Sequence, residues 1–491
     1  MEVFDIRPML APAVSLACAG LVFFAGGQAF WRRFFSLTAA TLKLLIIFSM
    51  LPGTMRGVVY RFPLTQFTPG IGLGFRADAL GMFFSLVSGT LWVFTTIYAI
   101  AYMDPEHAKV RFFGFFALCV STTVGIAYAE NLLTMFLFYE MLTICTYPLV
   151  IHEETPEAMK AGRKYLIYTL SGGALILLAI AMTYIQAGTL TLAKTGILPL
   201  HGDPATAKLI FGIFAAGFGV KAAIIPLHSW LPSAMVAPTP VSALLHAVAV
   251  VKAGAFGILR VTYNVFGVVL LRQLGVTEYL AWIAAFTIIA ASVLALVQQN
   301  LKRRLAYSTV SQLSYIVLGA SLLTPYAATA AVVHIANQAF QKITMFFVAG
   351  AIERTTGRRD IRELAGIGYE MPYTMAAFTV AALGFIGVPL FAGFITKWYL
   401  ILGALQGHQP VFILVMIASG LLNAAYWLPI VYLAYFKVPR NVKMKVREAR
   451  PMLLYPTLIC AAYVILLGSL AEVPGMPLSV ARAAVRFVFG M

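Results

Sequence analysis

The sequence predicts an all-α integral membrane protein of about 14 transmembrane helices, and three observations carry that prediction. The 491 residues are 61% hydrophobic and 11% charged, outside the range of soluble domains. Apolar runs of helix length recur from end to end, at about 9–26, 36–53, 79–102, 112–129, 131–151, 165–187, 208–230, 241–265, 279–298, 304–324, 327–351, 373–404, 411–436 and 452–472. The basic residues sit mostly in the short loops between those runs. With loops assigned alternately to two faces, 20 of the 35 Lys/Arg fall on the face holding loops 27–35, 103–111, 152–164, 299–304, 352–372 and 437–451, nine fall on the other, and six lie inside spans. The net charge of +17 is therefore a positive-inside signature rather than a nucleic-acid footprint. It predicts a multi-pass protein of the cell (inner) membrane with both termini non-cytoplasmic.

The N-terminus, MEVFDIRPML, is acidic and lacks the positive n-region of a cleavable signal, so the first span is expected to be retained. In the second span Lys43 reads as a lysine paired within the bundle or snorkelling to the interface. Asp78 stands at the entrance of the third span as a helix start. The fifth span carries Glu140, the one acidic residue deep in a span. A membrane carboxylate is either protonated or paired with a cation, and Lys221 at matching depth is the partner expected, in a static or a switchable pair. The HEET at His152 lacks the second histidine of a zinc HExxH motif and belongs to a cytoplasmic loop. Cys18, Cys119, Cys145 and Cys460 are scattered singly, without metal-ligand spacing.

The stretch from Lys208 to Tyr263 is the most informative. Lys221 lies about 13 residues into its run, ~20 Å deep at the helical rise, and Lys252 lies at similar depth in the next. Pro226 should break the first helix just beyond Lys221, placing His228 in the break. Ser308, Ser311, Gln312 and Ser314 dot the tenth span, where hydroxyls mediate packing or hold water. In the eleventh, His334, Gln338 and Lys342 recur at i, i+4 and i+8 on one helical face. The twelfth is interrupted at Gly387-Val388-Pro389 and carries Lys397 beyond the break, as a relay group or as an interfacial lysine beside Trp398 and Tyr399. IIPLHSWL at 224–231 is similar to GVPLFAGF at 387–394, and five intervening spans reverse the direction of the second copy. That pattern predicts two inverted five-helix repeats with discontinuous helices 7 and 12. The expected organisation is an N-terminal three-helix segment (1–110), a first repeat (111–265), a second (279–436), and a C-terminal loop, span and tail (437–491).

The run PLHSWLPSAMVAPTPVSALLHAVAVVKAG resembles the antiporter-like proton-translocating membrane subunits of respiratory complex I, membrane-bound hydrogenases and Mrp antiporters. LFYEMLTICTYPL, AFQKITMFFVAGAI and FAGFITKWYL add to that likeness. It covers roughly residues 75–440 and looks closest to the D-type Mrp subunits. The resemblance implies a midplane chain of polar residues in which Glu140 is the fifth-helix glutamate, Lys221 its partner, Lys252 the bridging lysine and Lys397 the exit residue. It implies that His246 and His334 lie near the central axis and that Lys342 is the eleventh-helix lysine. Gln338 stands where many members have a second histidine, Ser233 and Met235 replace polar residues of complex I versions, and Lys397 in place of glutamate argues against the M-type complex I protein.

Proton translocation, or coupled proton and sodium translocation, within a multisubunit assembly is the function these readings favour. The partners implied are other membrane subunits of a complex I-like, hydrogenase or Mrp-type complex. The alternative is a non-transporting scaffold that anchors a redox module, which has no reason to keep Glu140, Lys221, Lys252, Lys342 and Lys397 in lipid. No redox or hydrolytic centre, metal site or cofactor site is read in this chain, which leaves open membership of an ion-translocating oxidoreductase.

Overall fold

Helix formation follows the apolar runs closely. The computed structural model describes residues 1–437 and 445–490. The first half holds α1 (Arg7–Ala25), α2 (Ala29–Met55), α3 (Ala79–Tyr102), α4 (Lys109–Ala127), α5 (Leu132–Val150), α6 (Pro156–Ala187), α7 (Pro204–Lys221), α8 (Trp230–Ser233), α9 (Thr239–Ala243) and α10 (Val250–Arg260). There follow α11 (Val268–Leu274), α12 (Thr277–Leu296), α13 (Leu301–Ser321), α14 (Pro325–Thr356), α15 (Ile367–Glu370), α16 (Pro372–Ile386), α17 (Ala392–Gln406), α18 (Val411–Phe436), α19 (Pro451–Ser469) and α20 (Pro477–Phe489). Among the described residues ten segments, including the continuous stretch Thr239–Phe266 with its π-helical turns at Leu244–Val248 and Val261–Phe266, are long and apolar enough to cross a bilayer. Of the basic loop at 437–451, residues 438–444 lie outside the described residues.

Both Pro-containing interruptions form. The α7 helix stops at Lys221, and the chain runs irregularly through Pro226 and His228 to α8. The orphaned Val220 carbonyl accepts from the Trp230 indole N–H at 2.8 Å, and the Ile225 N–H donates to Thr287 Oγ1 at 3.2 Å. The α16 helix stops at Gly387, whose φ of 90° only glycine adopts cheaply, and α17 resumes at Ala392 beyond Pro389. Interrupted backbone is tolerated at membrane depth only where protein groups re-satisfy it, and these contacts do so.

The longest buried stretch within a single α-helix lies in α14. Every residue from Ala327 to Ile352 is buried, because α3, α9, α13, α16, α17, α19 and α20 surround it. A helix polar on one stripe and yet buried all round must bury that stripe in protein rather than lipid. The exposed apolar surface lies elsewhere, on helices such as α1, α6, α12 and α18, where Phe24, Ile185, Phe286 and Leu421 are exposed.

The all-α expectation needs one correction, a three-stranded sheet. Strands β1 (Glu2–Phe4), β2 (Val59–Thr68) and β3 (Ile71–Ala77) lie in the order β1-β2-β3, the first pair parallel and the second an antiparallel hairpin around Pro69-Gly70. Strands of ten and seven residues, the longer one carrying Val, Tyr, Phe and Thr, are too short for a search based on helix-length apolar runs. The sheet satisfies backbone groups at one end of the bundle: Glu130 N–H donates to Gly74 O, Arg76 N–H to Tyr128 O, and Asn131 Nδ2 to Gly72 O. It also fixes geometry, since β1 pairs with β2, and β3 leads directly into α3, on which α20 packs.

Asp78 caps α3 as its sequence position suggests, accepting from Gly81 N–H at 2.8 Å, but it also receives Arg260 at 2.5 and 2.8 Å. This pair is buried, with Arg260 1% exposed, and further contacts to Asn264 Oδ1 and the Ala127 carbonyl tie α3, α4 and α10 together. Removing one partner strands the other charge, which costs about 3–5 kcal/mol. Arg260→Ala should therefore lower the thermal unfolding midpoint of the purified protein sharply, while Arg260→Met with Asp78→Asn should recover most of the loss. Equal midpoints for the single and double variants would show that the pair contributes nothing of its own.

Candidate functional site

The ionisable groups read from the sequence sit inside the bundle on α5, α7, α10 and the π-helical turn before it, α14 and α17. Lys221, Lys252, His246 and Lys342 are each 0% exposed, and His334 is 1% exposed. Among the described residues none of the four lysines at 221, 252, 342 and 397 makes an ion pair. Carbonyl oxygens, a hydroxyl and aromatic faces surround Lys221, Lys342 and Lys397 instead.

Lys221, the last residue of α7, donates to the Tyr139 carbonyl at 2.6 Å and lies 3.3 Å from the centroid of the Tyr139 ring. Glu140 is the next residue along α5, but its carboxylate is turned toward α6 and its Oε1 has no hydrogen-bond partner. It fits there only because position 173 is glycine: a Cβ at Gly173 would collide with the carboxylate. The two groups therefore flank Tyr139 without touching. His228 lies in the α7–α8 break, facing Tyr307 of α13 with ring centroids 6.1 Å apart.

Lys252 and His246 are the least satisfied. Lys252 Nζ and both His246 ring nitrogens are buried without a hydrogen-bond partner. Close packing places them: α10 sits so near the end of α7 that a Cβ on Gly254 would run into the Ala222 nitrogen. His246 rests against the Phe346 ring of α14, centroids 4.8 Å apart, one turn beyond Lys342.

The second cluster is better connected. His334 Nδ1 meets Thr396 Oγ1 at 3.1 Å, its Nε2 meets the Gln312 carbonyl at 3.1 Å, and its ring stacks on Tyr315. Lys342 donates to Ser308 Oγ and to the Leu305 carbonyl at 3.2 Å, with its Nζ 4.4 Å from the Phe385 ring centroid. Lys397 turns back to the broken end of α16, donating to the carbonyls of Ile386 at 2.6 Å and Phe385 at 3.2 Å. Phe385 thus separates two lysines, its ring facing Lys342 and its carbonyl holding Lys397. Gln338 and Gln341 are buried on the same helix as Lys342 with both amide atoms unpartnered.

Sequence reasoning missed the groups that hold these cations. Tyr139, Phe385 and Thr396 carry no signal in themselves, because their carbonyls, rings and hydroxyl matter only through tertiary placement. It also missed Asn423, which donates to the Phe385 carbonyl at 3.0 Å alongside Lys397. At the end of the molecule opposite the sheet, a polar cavity of about 780 Å³ is lined by Glu353, Lys302, Arg354 and Glu106 among others. Glu353 accepts there from Lys302 at 3.4 Å and Arg359 at 2.7 Å. Lys43 is buried over the Trp92 ring, Nζ 3.6 Å from its centroid, so it is held within the bundle rather than snorkelling.

A family model described as NADH:quinone oxidoreductase/Mrp antiporter, TM, matches residues 129–422, the region that contains Glu140, the lysines at 221, 252, 342 and 397, and the histidines at 228, 246 and 334. The chain belongs to that family. Its relatives include the NADH-quinone oxidoreductase subunit N of Desulforudis audaxviator, 31% identical over 85% of this chain and 86% of that one. Another is an Na(+)/H(+) antiporter protein of the D type from Alkalihalophilus pseudofirmus, 26% identical over 95% and 94%. Of some longer antiporter relatives the chain spans only about half the length, 45% in one case. A chain of the membrane-bound sulfane sulfur reductase, an archaeal respiratory membrane complex, superposes with a TM-score of 0.88 at 26% identity, covering 99% of this chain and 98% of the other.

Outside the spans of this chain, His152 belongs to no cluster of three or more His, Cys, Asp or Glu among the described residues. Its ring is fully buried, stacked on His107 at 4.8 Å, and neither ring nitrogen has a partner. Burial, with the charges of Arg111 and His107, pushes it down from 6.5 to about 4. An unfolded chain therefore binds the proton first as pH falls, so stability should decline between pH 6.5 and 4 and be unaffected above that window. The unfolding midpoint of purified protein should drop between about pH 7 and pH 5, and drop less in His152→Phe. Identical pH dependence in the two would remove His152 as the cause.

Proposed function

We propose that this chain translocates protons, alone or coupled to sodium, as an antiporter-like subunit of a multisubunit membrane complex. The file it uses is Glu140, Lys221, His246, Lys252, His334, Lys342 and Lys397, with His228 at its cytoplasmic approach. The observation that carries this reading is the set of four buried lysines with no counter-carboxylate in contact, three of them held by carbonyls, a hydroxyl and aromatic rings and the fourth, Lys252, without a hydrogen-bond partner. A static ion pair locks a charge in place; a lysine held only by neutral acceptors loses little structure when it gives up its proton, and intramembrane ionisable groups mark ion paths by default. A scaffold gains nothing from burying such groups. The names of the relatives, an Na(+)/H(+) antiporter protein and a subunit of NADH-quinone oxidoreductase, support both the activity and the assembly into a larger complex.

In this reading the chain crosses the membrane 14 times with both termini outside. Two inverted five-helix repeats, 111–265 and 279–436, follow a three-helix segment at 1–110, and 437–491 completes the chain. Each repeat contributes one broken helix with a lysine at the break, Lys221 before the first and Lys397 after the second. Glu140 and Lys221 act as a switch. Swinging the carboxylate from its seat beside Gly173 toward the ammonium on the other side of Tyr139 holds the proton on the lysine, and withdrawing it releases the proton along the file. Waters bridge the gaps at Gln338 and between His246 and Lys252.

Three substitutions test this in the assembled complex reconstituted into vesicles, with proton flux as the readout. Lys397→Arg keeps the charge but cannot release a proton, so flux should fall about a hundredfold with assembly intact. Parental flux in that variant would eliminate the relay role. Gly173→Val should evict the Glu140 carboxylate and reproduce the loss seen in Glu140→Gln; if it pumps normally, the seat is irrelevant to the switch. Replacing sodium by choline separates proton transport alone from coupled exchange.

A further inference from the structure

Two adjoining cavities lie on the outer surface of the bundle between α2, α3 and α20. The deeper one, about 410 Å³, is apolar and lined by Leu44, Phe48, Phe83, Thr90, Phe340 and Val480. The other, about 270 Å³, is lined by Met55, Val58, Ala79, Lys194, Arg486 and Phe487. They are consecutive on all three helices. Along α2 the lining passes from Leu51 to Met55, along α3 from Phe83 to Ala79, and along α20 from Val480 to Ala483, about one turn further in each case, with Phe487 a second turn along α20. The result is a groove with an apolar floor at helix depth and a basic mouth at the end of the molecule that carries the sheet.

We propose that this groove binds one anionic phospholipid, an acyl chain along the floor and the phosphate at the mouth. Charge complementarity chooses the occupant. Lys194 and Arg486 are both exposed, and among the described residues neither makes an ion pair, whereas Arg482 on the same short helix is paired with Glu472. Lys194 is also held in place, its Nζ 4.7 Å from the Phe487 ring centroid, so the cation stands over the mouth rather than ranging through solvent. A transmembrane helix of a partner would fill the apolar floor but would offer nothing to two cations beyond its end. The α20 helix suits the role as well: Leu478, Ala481 and Val485 are buried against the bundle while Arg486 faces outward, the arrangement of a helix lying at the membrane interface. The site is independent of the ion file and stands whether or not this chain translocates protons.

The test uses the full chain in its native complex, delipidated in detergent and titrated with phosphatidylglycerol or phosphatidylcholine, with the thermal unfolding midpoint and lipid mass spectrometry as readouts. Phosphatidylglycerol should bind more tightly by about fivefold for each cation engaged. Lys194→Gln with Arg486→Gln should abolish that preference, and Lys194→Arg with Arg486→Lys should keep it. Thr90→Trp, which fills the floor at a half-buried position, should weaken both lipids equally. Equal binding of the two lipids by the parental complex, or a preference that survives the double glutamine variant, overturns the proposal. So does a photo-crosslinker at Phe48 that captures another subunit rather than lipid.

Discussion

A bilayer interior offers no water, so every charge and every broken backbone turn inside this molecule must be answered by the molecule itself. That constraint explains why lysines and helix breaks occur together. A helix that stops in mid-membrane leaves carbonyls without donors, and an ammonium in mid-membrane lacks acceptors. At the end of α16 the two deficits cancel, since Lys397 donates to the carbonyls of Phe385 and Ile386. At the end of α7 the solution is different: Trp230 closes the orphaned Val220 carbonyl, and Lys221 is sent across to the Tyr139 carbonyl of α5. The two breaks are alike in sequence and unlike in how they are satisfied, so their lysines have different neighbours to exchange with.

The same constraint sets the position of α14. A helix carrying His334, Asn337, Gln338, Gln341 and Lys342 cannot face hydrocarbon, and seven surrounding helices shield it. Shielding alone does not satisfy the polar groups. His334, Asn337 and Lys342 find partners on α13 and α17, whereas Gln338 and Gln341 do not. The centre of the molecule thus alternates between well-held and unpartnered polar groups, an arrangement that favours small rearrangements over a single locked network.

The buried ionisable groups were largely legible in the sequence because the penalty for burying charge in lipid makes a Lys, Glu or His within an apolar run conspicuous wherever it folds. Glu140, Lys221, Lys252, Lys342 and Lys397 could be named from apolar context alone, and the breaks at Pro226 and Pro389 from the missing backbone donor. The β-hairpin at 59–77 and α20 were not legible. The two strands of the hairpin, ten and seven residues long, are each shorter than the runs that hydropathy detects, and α20 is an amphipathic helix in a stretch that reads as a tail.

The sequence by itself determined which groups must be protected from lipid and where the helices must break, since both follow from the energetics of single residues in hydrocarbon. The tertiary structure decided who answers whom. That Glu140 is seated against Gly173, that one phenylalanine stands between Lys342 and Lys397, and that Asp78 holds Arg260 across 182 positions depend on side-chain direction and helix approach. Those are set by the packing of many residues at once, and no local pattern in the chain encodes them.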